Sequence, residues 1–208
     1  MINSDIPQPT LNPKAEQILK GAMPEFLKQG YARTSMDKVA KAAGVSKQTL
    51  YSHFSDKEGL FTALVQHIAS QKFCIVWSKP LQGEPETVLR DLGQRLLLEN
   101  MHDKEYLRFC RLIVSESEQR PDLAQLFLRN ICQPAAAVLT KYLSDRTELN
   151  ISDPEATSRI FVGSLIHFIM IQEVLHGHAI MPMDANRLID SLIDLIVKTR
   201  SPCDEIPN

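Results

Sequence analysis

Residues 47–53, KQTLYSH, carry many hydrogen-bonding side chains for one short helix. Leu50 and Phe54 lie four residues apart and predict its buried edge, which leaves the polar side chains on the other faces. Lys47 can donate to O6 and N7 of guanine, and Gln48 can form two hydrogen bonds with adenine. The candidates for phosphate contacts are Thr49, Tyr51, His53 and Lys57. The alternative is a solvated face of an ordinary helical bundle.

Two short helices and one glycine must position these side chains. The first helix, predicted at Met36–Ala43, follows a hydroxyl cap in the sequence TSMD, and the second, predicted at Lys47–His53, is capped by Ser46. Between them, Gly44 supplies the positive φ that a tight turn requires. Such a helix-turn-helix unit places its second helix in the major groove of DNA.

Charge is distributed unevenly along the chain of 208 residues. The formal net charge is −2, but residues 33–57 contain five basic and two acidic residues. This segment therefore carries a charge of +3, and the rest of the chain carries −5. A small basic segment on an acidic body favours a localised phosphate-facing surface.

Several function classes lack their sequence signatures. The chain has no apolar run long enough to span a membrane and no secretory signal, so we expect no membrane partner. No P-loop, GxGxxG, HExxH or nucleophile-elbow pattern occurs, so we expect no enzyme activity, no cofactor and no metal. The four cysteines form no CxxC pair and are predicted to be free thiols in a reducing compartment: Cys74, Cys110, Cys132 and Cys203.

The helix-turn-helix segment resembles a known family. TSMDKVAKAAGVSKQTLYSHFSDKEGLFTALV, with the lead-in ILKGAMPEFLKQGYARTSM, is similar to the DNA-binding domain of the TetR family of bacterial transcriptional regulators. The resemblance covers residues 18–65 and includes an aromatic residue after glycine, the Thr-Ser cap, AxxAGVS and LYxHFxxKExL. Pro24 departs from it, because the family commonly has a helix former at that position, and predicts a kink in the first helix.

The resemblance also implies roles for individual residues. It implies base contacts from Lys47, Gln48 and Ser52, and the cap residue Ser46 is also counted among the DNA-binding residues. The implied phosphate contacts are Thr34, Thr49, Tyr51, His53 and Lys57. The later stretch YLRFCRLIVSESEQRPDLAQLF resembles, more loosely, the C-terminal domains of the AcrR/AefR branch.

The fold is predicted to be all-α, with a three-helix DNA-binding domain and a larger helical bundle. Apolar periodicity and the placement of proline and glycine predict about nine helices, at 12–29, 36–43, 47–53, 57–78, 86–101, 104–118, 121–144, 154–177 and 184–200. The predicted divisions are a disordered lead-in at 1–11, the DNA-binding domain at 12–58, a ligand-binding and dimerisation domain at 59–200 and a tail at 201–208.

The last two helices are apolar on more than one side and predict a homodimer. A helix that is apolar all round must be buried on both sides, once by its own domain and once by a second subunit. The predicted interface residues are Ile160, Gly163, Ser164, Leu188, Leu192, Ile193 and Ile196. A twofold dimer predicts a palindromic DNA operator. The alternative is a large monomeric core.

The central helices contain candidates for an effector pocket. These are Phe73, Trp77, Phe109, Cys110, Ile113, Phe127, Ile131, His167, Met170 and Glu173. Aromatic and Met residues at such spacing also occur in ordinary cores, and the two polar residues could equally be satisfied by neighbours.

We therefore expect a cytoplasmic, nucleoid-associated homodimeric repressor that binds DNA and is released by a small, largely apolar molecule. An effector-independent architectural or interaction protein, a helical enzyme that kept the fold, and an activator remain alternatives.

Overall fold

The computed structural model describes residues 12–77 and 79–197, with the side chains of residues 73–75 left out. The described chain contains ten α-helices and no strand. They are α1 (Pro13–Arg33), α2 (Met36–Ala42), α3 (Lys47–His53), α4 (Lys57–Trp77), α5 (Pro85–Met101), α6 (Lys104–Glu116), α7 (Pro121–Phe127), α8 (Gln133–Ser144), α9 (Pro154–Ile169) and α10 (Ala185–Val197). The all-α prediction is confirmed. The predicted lead-in at 1–11, the tail at 201–208 and the last turn at 198–200 lie outside the described residues.

Two π-helical turns interrupt the helices of the second half. One, Leu128–Cys132, joins α7 to α8. The predicted helix 121–144 is therefore one helical run, and its wide turn lies just before Pro134. The other, Met170–Val174, follows α9 directly. A π-turn satisfies backbone groups with i→i+5 bonds and leaves little local sequence signal.

The chain divides into two compact units, and each takes helices from two separate parts of the sequence. Unit 1 comprises residues 1–72 and 108–130, and unit 2 comprises residues 73–107 and 131–208. The division therefore lies inside α4 rather than at the predicted boundary after residue 58. Most of α6 and all of α7 belong to the unit that contains the helix-turn-helix.

Aromatic packing explains why α6 joins unit 1. Phe26 of α1 meets Phe61 of α4 edge to face, with ring centroids 5.0 Å apart. Phe61 in turn lies 6.0 Å from Phe109 of α6, and all three side chains are fully buried. Tyr31 closes the cluster at 5.2 Å from Phe61. Such rings dominate the energetics of a small core, so α6 is needed to cover α1 and α4.

The turn between α2 and α3 is a Schellman motif. Gly44 has φ +64°, and its N–H donates to the carbonyl of Lys41 while the N–H of Val45 donates to the carbonyl of Ala40. The carbonyl of Ala43 accepts a hydrogen bond of 2.7 Å from Gln17 Nε2 on α1. Carbonyls that the end of α2 leaves without helical partners are thus satisfied, and the direction of α3 is set by the turn.

α1 approaches this turn closely. A Cβ atom at Gly21 would lie 2.6 Å from the Cα of Ala43, so only glycine fits the contact without movement of the backbone. Pro24 lies in the same helix, and the described backbone there stays helical as far as Gly30, which has φ +76° and ends the regular helix. The kink expected at Pro24 does not appear as a break in backbone dihedrals; the break occurs at Gly30.

Unit 2 is a bundle with one continuous apolar core. α5, α8, α9 and α10 supply most of it, and α5 packs on α10 with Ile189 against Gly93. Leu192, Ile193 and Ile196, which were predicted for the dimer interface, are buried in the core of their own chain. The exposed apolar side chain of α10 is Leu195.

We predict that Gly21→Ala destabilises the protein by about 1–3 kcal/mol, because the added methyl group must displace the backbone of Ala43. Chemical unfolding in urea measures this change. Gly59→Ala is the matched control in the same unit, because its Cβ would meet only Asp56 Oδ1 at 3.4 Å. Alanine favours a helix, so this control should be neutral or stabilising by up to about 1 kcal/mol. Equal losses in both variants would contradict the close-contact explanation.

Candidate nucleic-acid interface

α3 presents one polar face to solvent. Its two anchors are buried, with Leu50 0% and Phe54 8% exposed, as the four-residue spacing predicts. Lys47, Gln48, Tyr51 and Ser52 are exposed, and we call these four residues the reading face. Tyr51 has half of its surface exposed, which is unusual for a large aromatic side chain without a partner.

The hydroxyl groups around the reading face also hold α3 in shape. Ser46 Oγ accepts from the N–H of Thr49 at 3.0 Å and lies 2.8 Å from the hydroxyl of Thr49. Ser52 Oγ donates to the carbonyl of Thr49, and the His53 imidazole lies 3.0 Å from the same carbonyl. Ser46 therefore begins the helix, while Ser52 and His53 lie at its other end.

Thr34 has a structural role in this protein. Its side chain is buried at 3% exposure, and its hydroxyl donates to the carbonyls of Gly30, at 2.7 Å, and Glu25, at 3.2 Å. These contacts satisfy carbonyls where α1 ends at the positive φ of Gly30. A phosphate contact from the Thr34 hydroxyl, as implied by the resemblance, does not fit this geometry.

Lys57 also stabilises the end of α1. Its ammonium donates to the carbonyls of Tyr31 and Ala32, both at 2.9 Å, and lies 4.7 Å from the centroid of the Tyr31 ring. A cation at the carboxyl end of a helix is favoured by the helix dipole. Two of the three donors of Lys57 are thus used within the fold, and its replacement would disturb folding as well as any phosphate contact.

Glu116 and Arg120 attach the end of α6 to the end of α1, and we call this pair the α6–α7 latch. Glu116 Oε1 accepts from the N–H of Tyr31 at 2.9 Å. The Arg120 guanidinium lies 4.6 Å from the centroid of the Tyr31 ring and forms ion pairs with Asp122 at 2.6 Å and Glu58 at 3.4 Å. Tyr31 therefore lies close to two cations.

The electrostatics of the latch follow from these contacts. Burial raises the pKa of the Tyr31 phenol above its ordinary value, and Arg120 partly offsets that shift. Hydrogen bonding to Arg120 lowers the pKa of the Asp122 carboxyl. No local spacing in the sequence indicates the latch, because Glu116 and Arg120 lie 62–89 residues from their partners on α1 and α4.

The predicted effector-pocket residues divide between the two units. Phe109, Cys110, Ile113 and Phe127 belong to unit 1, where Phe109 and Ile113 are buried core residues. Trp77, Ile131, His167, Met170 and Glu173 belong to unit 2, where Trp77 packs against the apolar core. The side chain of Phe73 lies outside the described part of the structure.

Unit 2 contains an open groove of about 490 Å³ beside α9. Its walls include five residues that the sequence predicted for the pocket or the interface, namely Ile160, Gly163, Ser164, His167 and Leu188. The other lining residues are Arg159, Phe168, Ile171, Gln172, Met181 and Met183. The groove is largely apolar, and arginine and histidine supply its polar edge.

Across residues 12–77 and 79–197, no group of three or more His, Cys, Asp or Glu side chains could hold a metal ion. In the same part of the chain, no helix is both long and apolar enough to cross a membrane.

Two stretches of the sequence match models of a known protein family. Residues 18–64 match the model described as "Bacterial regulatory proteins, tetR family". Residues 87–199 match the model described as "AefR-like transcriptional repressor, C-terminal domain". The chain belongs to the TetR family. A TetR-family protein with a helix-turn-helix of this kind is a DNA-binding transcriptional regulator, as the sequence predicted.

TetR-family relatives cover nearly the whole chain. It is 25% identical over 193 residues to the HTH-type transcriptional regulator YvkB of Bacillus subtilis, covering 90% of this chain and 97% of YvkB. A solved TetR-family structure from Mesorhizobium loti has 28% identity and a TM-score of 0.73, covering 89% of this chain and 95% of its own. The solved structure of the flavonoid-responsive regulator FrrA has 26% identity and a TM-score of 0.76, covering 91% and 98%.

We predict that Arg120→Met destabilises this TetR-family protein by about 1 kcal/mol, mainly through loss of the cation–π contact with Tyr31, since exposed ion pairs contribute little. Urea unfolding measures the loss. The control is Arg129→Met, because Arg129 is exposed and bonds Gln125 on its own helical run. If both variants unfold at the same urea concentration as the wild type, the latch makes no net contribution to stability.

Proposed function

We propose that the protein is a homodimeric repressor that binds a palindromic operator and leaves it when a small, largely apolar effector binds. The observation that carries this proposal is the exposed reading face on a helix whose two anchors are buried and whose entry turn is hydrogen-bonded. Repression is supported by the match of the C-terminal half to a model described for AefR-like transcriptional repressors.

The reading face determines which contacts we assign. Lys47 and Gln48 lie in the first turn of α3, the part of a recognition helix that contacts base edges, and we assign base contacts to them. Ser52 adds a further candidate. Thr49, Tyr51 and His53 are assigned to phosphates, and the third donor of Lys57 can join them. Thr34 is left out because its hydroxyl is buried and bonded.

An exposed apolar face on unit 2 supports the dimer. Ile160, with 61% of its surface exposed, Ile166 and Met170 all lie on or just after α9 with large exposed surfaces. A Cβ built at Gly163 would meet no atom within 4 Å, so a second helix has room to approach there. Neighbouring exposed apolar side chains on one face of a helix are typical of interfaces. Of the residues predicted for the interface, Ile160, Gly163, Ser164 and Leu188 are kept.

Coupling to an effector is proposed to run through α4. This helix begins beside the helix-turn-helix at Lys57, and its last residues are counted with unit 2. An effector in unit 2 that displaces α4 would change the spacing of the two reading faces of a dimer, and a coupling of 1–3 kcal/mol is enough to change operator occupancy strongly. The apolar class of effector is supported by FrrA, a structural neighbour described as responsive to flavonoids, which are aromatic compounds.

The experiment that tests the function is selection of tight binders from a pool of random DNA duplexes with the purified protein at moderate salt. An enriched palindrome with half-sites about one helical turn apart is expected for two reading faces related by a twofold axis. Adding a flavonoid and other apolar aromatic compounds to the complex then tests release. Enrichment of no sequence, with weak salt-sensitive binding alone, favours the architectural alternative.

We predict that Gln48→Ala changes base preference at one position of each half-site and lowers cognate affinity by about 1–3 kcal/mol, because a base contact is lost. Quantitative binding to duplexes with every base at each half-site position measures this. Gln29→Ala is the control, because Gln29 lies on α1 and bonds Lys38 rather than belonging to the reading face. An unaltered base preference would mean that α3 is oriented differently on DNA.

We predict that Ile160→Glu raises the dimer dissociation constant at least about tenfold, because it buries a charge in an apolar interface. Sedimentation equilibrium over a range of concentrations measures the change. Leu98→Glu is the matched control, because Leu98 is an equally exposed apolar residue on α5 and does not line the groove beside α9. A dimer unaffected by Ile160→Glu would place the interface elsewhere.

A further inference from the structure

The lysine proposed to contact a base is paired with a carboxylate of the neighbouring helix. Lys47 Nζ, at the start of α3, lies 2.6 Å from Asp37 Oδ2, at the start of α2. The two side chains are 65% and 59% exposed, so the pair lies on the protein surface next to the reading face. Lys47 therefore does not project freely from α3 in the protein without DNA.

The position of Asp37 is stabilised independently of Lys47. Asp37 lies in the first turn of α2, where Ser35 caps the helix and the helix dipole favours a negative charge. The other acidic residue of residues 33–57, Asp56, has a different task, since its Oδ1 accepts from the N–H of Gly59 at the start of α4. Asp37 is thus the acid that can neutralise a cation of the reading face.

The neighbouring lysines are held in other ways. Lys38 donates to Gln29 Oε1 at 2.9 Å, and Lys57 donates to two main-chain carbonyls. Neutral acceptors leave the positive charge of both lysines available to DNA phosphates. The carboxylate of Asp37, in contrast, cancels the charge of Lys47 over the distances at which DNA first meets the protein.

We propose that Asp37 is a specificity-determining residue that keeps Lys47 from phosphates on non-cognate DNA and releases it to a guanine edge on cognate DNA. The proposal rests on the proposed function of Lys47 as a base contact. A phosphate is available on every sequence, so a free lysine would tighten all complexes alike. Only a base edge that bonds the ammonium directly can replace Asp37 and offset the loss of the ion pair.

The test is Asp37→Asn, which keeps the size of the side chain and removes its charge. Binding is measured over a range of salt concentrations on the selected palindrome and on a shuffled duplex of the same length. For the shuffled duplex we expect about one extra phosphate contact for each Lys47, which steepens the plot of log K against log salt by about 0.9 per subunit. Affinity for the shuffled duplex should rise about tenfold, and affinity for the palindrome should rise less, so their ratio falls.

Three further variants separate the mechanism from a general charge effect. In a Lys47→Ala background, Asp37→Asn should leave the salt slope unchanged, since no lysine is released. Asp37→Glu should keep the wild-type slope because it keeps the carboxylate. Asp145→Asn removes the same charge from an exposed Lys–Asp pair of 2.7 Å in unit 2 and should change neither slope nor ratio.

Two results would overturn the proposal. One is an unchanged slope on the shuffled duplex with Asp37→Asn, and the other is the same steepening in the Lys47→Ala background. If selection yields no palindrome, the dimeric operator reader is wrong, while the slope on the shuffled duplex still decides whether Asp37 restrains Lys47.

Discussion

The contact between α1 and the turn that follows α2 determines where the DNA-binding helix lies. Gly21 meets the backbone of Ala43 with no room for a side chain, and Gln17 bonds the carbonyl of the same residue. The turn is thereby fixed to α1, and α1 is fixed to α4 through Phe26 and Phe61. The angle of α3 is consequently set by close packing in which small movements are resisted.

The polar residues around α3 serve the fold and the DNA surface to different degrees. The Thr34 hydroxyl donates to main-chain carbonyls, and Lys57 uses two of its three donors in the same way. Gln48 and Tyr51 are exposed without being needed to cap a helix. Weaker DNA binding after mutation of Lys57 would therefore not by itself identify a phosphate contact, because the mutation also disturbs the fold. A change of base preference after mutation of Gln48 could not be explained by damage to the fold.

Local features were predictable from the sequence. The bounds of α3, its buried anchors and the glycine turn follow from periodicity, hydroxyl caps and the demand for positive φ, which all act within a few residues. The sequence also assigned Ile160 and Gly163 to a second apolar side of α9, and both residues are exposed in the described chain. The all-α class and the helix-turn-helix are confirmed, while the DNA, effector and dimer contacts assigned to single residues stay predictions.

Long-range features were not predictable in the same way. α10 appeared too apolar for one contact, yet Ile189 packs against Gly93 of α5, and Leu192 and Ile193 are buried in the same core. The placement of α6 in unit 1 depends on Phe109, which packs on Phe61, and on Glu116, which accepts from the N–H of Tyr31 85 residues away in the sequence. Periodicity identifies which side of a helix is apolar, but it does not identify the helix that covers it.

The π-turn at Leu128–Cys132 has a consequence for how chains of this fold can differ in length. A π-turn holds one residue more than the α-helical turn it replaces, so deletion of a single residue there restores regular helix instead of breaking it. Because the wide turn and the α-helical turn both complete one rotation, the residues that follow keep nearly the same angular positions along the helical run. A change in length by one residue at this point is therefore absorbed with the apolar side of α8 preserved.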